Sequence, residues 1–343
     1  MTYSIRFCGL HEKLKLIDFL RDSWRSNHPL VASPDLLDWQ YLQEGRYNFV
    51  VANHLESDKF HGVLGLISPG YFSEGAIEDG EDIWLSIWKV DKGLAEKSTL
   101  GLELLQFVRS HFLPNSTSAI GINLEVAKLY RVLGCKVASL RQFFVLNSEL
   151  LHFEIARIEE GGEPRVPAEG LEVGKSNPLR IKEVEERDLH KLSSIIALSS
   201  SGKDIEYVLG RFTQHPRYTY RFFSVERDRK PVSLFVVRKI FINQASCLRI
   251  VDFIGIQSVL SSLGHELQKL LSSEGSEYID LMVSGIDGDV IQRIGFVECS
   301  EENFVPHLFE PFVREISTVR FAVFDRKDLV VFKGDSDLDR PNW

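Results

Sequence analysis

The sequence predicts an α+β fold made of two similar halves, each a mixed, mostly antiparallel sheet flanked by helices. Three observations predict it. Strand-like and helix-like runs alternate from Asp82 to Gly134; a linker composition, Gly161-Gly162, Pro164, Pro167 and Gly174 among charges, interrupts the order; and the order then restarts, with a strand, a helix and Gly295-Phe296 recurring 161 positions after Gly134-Cys135. The 343 residues exceed one ordinary core and suit two domains, 1–157 and 179–343, joined by 158–178.

Ser4–Gly9 reads as the first strand, and His11–Arg25 as an amphipathic helix turning Leu14, Ile17, Phe19-Leu20 and Trp24 inward. After Asn27-His28-Pro29-Leu30, Ser33 and Pro34 fit an N-cap and first-turn proline for a short helix carrying Leu36-Leu37, Trp39 and Tyr41. Tyr47–His54 and Phe60–Pro69 read as an antiparallel pair, and the acidic loop Gly70–Gly80 leads to a central strand, Ile83–Val90. Alternation there sets Trp84, Ser86 and Trp88 on one face and Ile83, Leu85 and Ile87 on the other, so the Ser86 hydroxyl lies between two indoles. Such a hydroxyl is either a satisfied sheet residue or a substrate-facing group in an aromatic-walled cleft. A polar turn, Lys97-Ser98-Thr99, then opens a helix whose Leu100, Leu104, Leu105 and Val108 form one apolar face. Its start is either an ordinary cap by Ser98 or Thr99, or a place where unpaired N–H groups and the helix dipole receive a phosphate, with Gly101 allowing close approach. Ala119–Asn123 and Val126–Leu133 follow as strand and helix, and Phe143–Leu146 closes the first half.

The second half repeats these elements. Leu179–Val184 reads as a strand, Asp188–Ile196 and Asp204–Gln214 as helices, Tyr220–Arg227 and Pro231–Asn243 as a hairpin, and Cys247–Gly255 as a further strand. Ser258–Ser272, Tyr278–Val283 and Asp289–Ile294 complete it as helix, strand and helix. Asp252 interrupts an apolar strand; because an unpaired buried carboxylate is costly, it is either salt-bridged to Arg249 or Arg238 or held for a ligand. Val305–Phe312 is an aromatic loop with His307, Phe309 and Glu310, and the tail from Lys333 reads by default as a frayed acidic end.

Composition narrows the function classes. A net charge of −9 with no block of five Lys or Arg lacks the footprint of a nucleic-acid binder. No apolar run approaches the ~20 residues of a membrane span, and Met1–Arg6 lacks a signal-peptide layout, so a cytoplasmic location is expected. Cys8, Cys135, Cys247 and Cys299 are widely spaced in apolar runs and read as reduced, buried thiols, and no metal site is expected.

The run Asn123-Leu124-Glu125-Val126-Ala127-Lys128-Leu129-Tyr130, with Gly134 four residues on, resembles the GNAT superfamily of acyl-CoA-dependent N-acyltransferases. There a strand ending in Asn leads to a helix bearing Leu-Tyr, then Gly and usually Phe. The resemblance covers residues 5–147 and departs twice: the usual Arg/Gln-x-x-Gly-x-Gly/Ala turn stands as Lys97-Ser98-Thr99-Leu100-Gly101-Leu102, and Cys135 replaces Phe. It implies acyl-CoA as co-substrate, with no metal, held by Lys97, Ser98, Thr99, Gly101, Leu102 and Asn123 and by the open edge of the central strand near Trp88 and Val90. It implies Tyr130 as the acid that protonates the leaving thiolate; read from the residues alone, Tyr130 is equally a core aromatic of an amphipathic helix. For the amine's proton, Ser86, Asp91, His28 and Asp252 compete. His28 flanks the acceptor in the family pattern and otherwise reads as a surface turn residue.

Asn27-His28-Pro29-Leu30, Ile83-Trp84-Leu85 with Trp88-Lys89-Val90, and the terminal Gly334-Asp335 to Asn342 are similar to N-acyltransferases that modify dTDP-linked 4-amino-4,6-dideoxyhexoses in surface-polysaccharide and unusual-sugar biosynthesis. That implies a nucleotide-linked amino sugar, dTDP foremost, in a cleft between the halves. Trp84, Asp252, His307, Phe309, Glu310 and Arg340 would line it, with Arg340, Lys333 or Arg217 at the pyrophosphate and Phe309 or Phe312 at the base. The second half has Ile256-Gln257-Ser258-Val259-Leu260 in place of a Gly-rich turn and Ile291 at the position of Tyr130, so loss of CoA binding is expected there. An acyltransferase on another small amine and a non-catalytic CoA-binding or structural protein stay open. Transfer from charged tRNA fits poorly with the acidic balance.

Overall fold

The structure, a computed structural model, describes residues 2–159, 179–193, 203–326 and 329–341; most of the expected linker and the end of the helix expected at Asp188–Ile196 lie outside the described residues. The strands are β1 (Tyr3–Gly9), β2 (Leu42–Gln43), β3 (Arg46–His54), β4 (Phe60–Ile67), β5 (Asp82–Val90), β6 (Ser116–Ile122), β7 (Lys136–Ser139), β8 (Arg141–Leu146), β9 (Leu179–Val184), β10 (Arg221–Arg227), β11 (Lys230–Ile242), β12 (Ala245–Gly255), β13 (Tyr278–Ser284), β14 (Val297–Glu298), β15 (Leu308–Phe309), β16 (Phe312–Val313), β17 (Arg320–Phe324) and β18 (Val331–Phe332). Helices of the first half are α1 (Lys13–Ser23), α2 (Pro29–Ala32), α3 (Pro34–Tyr41), α4 (Pro69–Glu74), α5 (Leu100–Phe112) and α6 (Leu124–Val132).

One sheet runs β1-β3-β4-β5-β6-β17-β7 and the other β14-β8-β13-β12-β11-β10-β9. Each is antiparallel except for one parallel pair, β5 with β6 and β12 with β13. The sheets exchange a strand. Phe143–Leu146 was expected to close the first half, yet β8 lies in the second sheet, with Phe143 opposite Leu281, and β17 from the far end of the chain fills the matching place between β6 and β7. Leu140 alone separates β7 from β8 and is buried, with its N–H on the Val319 carbonyl, so the chain crosses between sheets without a loop. A cut at residue 157 therefore divides the sequence but not the sheets.

Local chemistry accounts for the elements that position the site. In α5 the expected face, Leu100, Leu104, Leu105 and Val108, is buried. In α1 the buried residues are Leu16, Phe19 and Leu20, while Leu14 and Trp24 are exposed; the helix is rolled from the expected face because its inward stripe starts at Leu16. Asn123 caps α6, its side-chain oxygen accepting from Val126 N at 2.9 Å. Gly134 (φ 87°) and Gly295 (φ 92°) each end a helix in a left-handed turn that only glycine adopts cheaply, and each leads to an outer strand, β7 or β14. The internal repeat is therefore visible in backbone geometry.

Candidate active site

The parallel pairing of β5 and β6 covers only Asp82–Trp84 against Ser116–Ser118, after which the strands part. From Leu85 to Val90, β5 keeps β4 on one edge and has no strand partner on the other among the described residues. A bulge between Leu64 and Leu66 on β4 accompanies the divergence. The result is a groove whose β5 wall offers free backbone N–H and C=O groups to an extended ligand.

α5 starts at the mouth of that groove. Thr99 occupies the N-cap position without capping: its hydroxyl donates to Glu103 Oε1 at 2.9 Å, and the N–H groups of Gly101 and Leu102 find no acceptor among the described residues. Gly101 sits where a Cβ would lie 3.2 Å from Trp88 Nε1, so the helix start is packed onto the strand. An uncapped end of a thirteen-residue helix carries the polarity that favours an anion. Glu103, paired with Lys97 at 3.5 Å, works against it. Tyr130, on α6, lies 2% exposed with its ring edge-on to Trp88 (centroids 5.8 Å) and Phe324 (6.0 Å). Burial pushes the phenol well above its usual value, so it is held as a proton donor.

On the acceptor side, Ser86 Oγ and Tyr41 Oη are 2.8 Å apart, and Gln40 Nε2 donates to Tyr41 Oη at 2.8 Å. Gly65 gives Ser86 its room, since a Cβ there would lie 2.8 Å from Ser86 Oγ and 2.9 Å from the Phe49 ring. His28 caps α2, Nδ1 accepting from Leu30 N at 3.3 Å, which puts the ring proton on Nε2; that nitrogen is buried and has no hydrogen-bond partner among the described residues. Burial, with Arg340 and Arg25 nearby, pushes the imidazole down to about 3. The tail reaches the same place. Arg340 Nη1 and Asp337 Oδ2 pair at 2.7 Å, and Leu338 packs over Gly121 of β6.

No protein-family model and no curated protein matches the chain. Among solved structures, a GCN5-related N-acetyltransferase from Anabaena variabilis ATCC 29413 matches 94% of this chain and 72% of its own, with a TM-score of 0.52 at 11% identity. A protein of Enterococcus faecalis V583 described as a Probable N-Acyltransferase matches the same shares with a TM-score of 0.54 at 8% identity. The chain has the GNAT fold. Its class is α+β, as the alternation of strands and helices predicts.

Within the GNAT fold, Gly101 of α5 lies against Trp88 and Val90 of β5 and Tyr130 of α6 lies against Trp88, while several other sequence candidates go elsewhere. Trp84 is 5% exposed and faces the core opposite Ile67 and Ser118, because it stands in the paired part of β5. Asp91 spends its carboxylate on the turn, accepting from Gly93 N at 2.8 Å and Leu94 N at 3.3 Å. Asp252 pairs with neither Arg249 nor Arg238: Lys203 Nζ holds both its oxygens at 2.8 Å and also holds Asp335 at 2.8 Å, and the carboxylate is fully buried in the second half. Arg249 instead holds Asp280 at 2.6 Å and donates to the Pro306 and His307 carbonyls. His307, bound by Ser317 Oγ at 2.9 Å, Phe309, stacked under Arg249 at 4.9 Å, and Glu310, bonded to Tyr218, make their contacts within the second half. His28 already spends its Nδ1 lone pair on Leu30 N, and its protonated Nε2 cannot accept a proton from an amine. Lys333 is buried, and Arg217 is held by Ser33 and Asp35. Gln40 and Lys203 carry no signal in the sequence, and Asp337 is marked only by its place in the terminal Gly334–Asn342 run.

An open cavity of about 600 Å³ lies at the opposite, paired end of β5 and β6, lined by Glu74, Glu81, Asp82 and Asp204, with Arg326 on Asp82. Its carboxylates disfavour an anionic ligand.

Proposed function

We propose that the chain is an acyl-CoA-dependent N-acyltransferase and that its acceptor is an amino-deoxy sugar linked to a nucleotide, dTDP foremost, as used in surface-polysaccharide or unusual-sugar biosynthesis. One conjunction carries the acyltransferase reading: the unpaired edge of β5 runs to an uncapped start of α5, with the buried phenol of Tyr130 against Trp88 between them. A thioester with an extended, hydrogen-bonding arm and a diphosphate matches that shape and polarity. The Arg340–Asp337 pair beside His28 and Tyr41 supports an acceptor that carries both an anion and an amine.

The chemistry assigned to these residues is direct acyl transfer. The neutral amine attacks the thioester carbonyl, whose oxygen is met by a backbone N–H of β5 near Trp88; the C–N bond forms as the C–S bond breaks, and the Tyr130 hydroxyl gives its proton to the thiolate. The amine's surplus proton leaves to water past the Ser86–Tyr41 hydroxyl pair, and Tyr130 regains one from water. Amino sugars deprotonate more readily than lysine, so no strong base is required.

The test is mass-spectrometric detection of acyl transfer from acetyl-CoA to a dTDP-4-amino-4,6-dideoxyhexose. Tyr130→Phe should lower kcat about 100-fold or more while acetyl-CoA affinity stays within about twofold. An unchanged kcat would remove Tyr130 from the chemistry. Acylation of simple amines with none of the nucleotide sugar would retire the sugar assignment alone.

A further inference from the structure

The second half carries the same kind of groove, and the chain itself fills it. β12 and β13 pair in parallel only over Leu248–Ile250 against Ile279–Leu281 and then part, as β5 and β6 do. Into the opening comes the end of the chain: β18 pairs with β13, Phe332 opposite Val283, and Gly334 N donates to the Val251 carbonyl of β12 at 2.7 Å. The fit admits only glycine, since a Cβ at Gly334 would lie 2.7 Å from that carbonyl oxygen. Buried charges hold the segment. Asp335 is on Lys203, Asp339 is on Arg238 at 2.8 Å and on Tyr220 at 2.8 Å, and Arg211 donates to the Ser336 carbonyl. Between the Asp335 and Asp339 anchors the segment packs Leu338 on Gly121 of β6, and it brings the Asp337–Arg340 pair near enough for its charges to act on Tyr41 and His28.

We propose that residues 331–339 are a built-in occupant of the second groove, which leaves one acyl-CoA site per chain, and that this seat makes Asp337 and Arg340 positioning residues for the acceptor at the first groove. The proposal rests on the acyltransferase reading for the identity of the ligands, and on the tail geometry alone for the plug. It assigns the second half a role: it aligns a segment that completes the first half's acceptor pocket.

Hydrogen–deuterium exchange on the full chain tests it, with wild type and Gly334→Val, each with and without acetyl-CoA. In wild type, peptides covering 331–339 exchange at least about 100-fold more slowly than an unstructured end. In Gly334→Val they exchange fast, and peptides covering 28–41 speed up about tenfold as the Asp337–Arg340 pair departs. Acetyl-CoA slows 85–101 in both proteins and leaves 251–260 of wild type unchanged. If Gly334→Val does not fold, Asp337→Asn takes its place: with the dTDP-4-amino sugar as probe amine it raises the amine KM about tenfold and leaves the acetyl-CoA KM alone. Fast exchange of 331–339 in wild type, slowing of 251–260 by acetyl-CoA, unchanged 28–41 in Gly334→Val, or an unchanged amine KM in Asp337→Asn would each overturn the proposal. Acetyl-CoA that slows no peptide sinks the acyltransferase reading instead, and the plug is still judged by 331–339.

Discussion

Lys203→Met should destabilise the fold by about 3–5 kcal/mol, the penalty for removing one partner from a buried ion pair. Lys203 is 5% exposed, and it stands between Asp252, fully buried, and Asp335, 3% exposed, holding each at 2.8 Å. Without the ammonium, two carboxylates face each other out of contact with water, and neither pairs with another cation among the described residues; both like-charge repulsion and desolvation then act against the ionised forms. The loss also releases Asp335, one anchor of the tail. Urea unfolding measures it, and the triple variant Lys203→Met, Asp252→Asn, Asp335→Asn should recover a large part by removing the stranded charges. A cost under about 1 kcal/mol for Lys203→Met would mean the cluster is not buried as described.

Acidification should be nearly as damaging, beginning at about pH 6.5, where buried histidines must stay neutral while the unfolded chain protonates them. Burial holds His28 and His215 down at about 3 and His307 at about 2, with Arg340 and Arg25 beside the first, Arg211 and Arg238 beside the second, and Lys333 and Arg249 beside the third. In the folded chain these rings stay neutral; in the unfolded chain each takes a proton near pH 6.5. Below that pH the unfolded state binds more protons, so the stability is fully present above about pH 6.5 and is lost as the pH falls toward 3. Each ring contributes a slope of about 1.4 kcal/mol per pH unit, and the three together about 4. Glu12 and Glu274, held at about 2 by Arg6 and Arg221, add a further loss from about pH 4.5 downward. Urea midpoints between pH 7.5 and 4.5 read the slope, which His215→Gln should reduce by one proton. A stability flat to pH 5 would contradict this burial.

Periodicity made much of the architecture legible. The α5 face, the capped start of α6 and the repeat of Gly134 at Gly295 are local signals, set by neighbours within one or two turns. What stayed hidden depends on long-range pairing. Nothing near Phe143 says that β8 will cross to the second sheet, because its apolar run suits either one. Asp252 had two arginines close in sequence, yet its partner came from Lys203, 49 positions away. The tail reads as a solvated acidic end until the cations that bury it, Lys203 and Arg238, are placed around it. At the site, Tyr130 and Gly101 were legible as motif positions, whereas Tyr41 became a partner of Ser86 only when α3 packed on β5.

The claim that the first groove receives acyl-CoA is tested most directly by thermal unfolding with CoA, on wild type and on Gly101→Asp. CoA at about 100 times its Kd should stabilise wild type by ~2.7 kcal/mol. Gly101→Asp puts a carboxylate at the start of α5 and a Cβ 3.2 Å from Trp88 Nε1, and it should abolish the shift. Wild type that millimolar CoA does not stabilise, or a Gly101→Asp variant stabilised as much as wild type, would contradict the account.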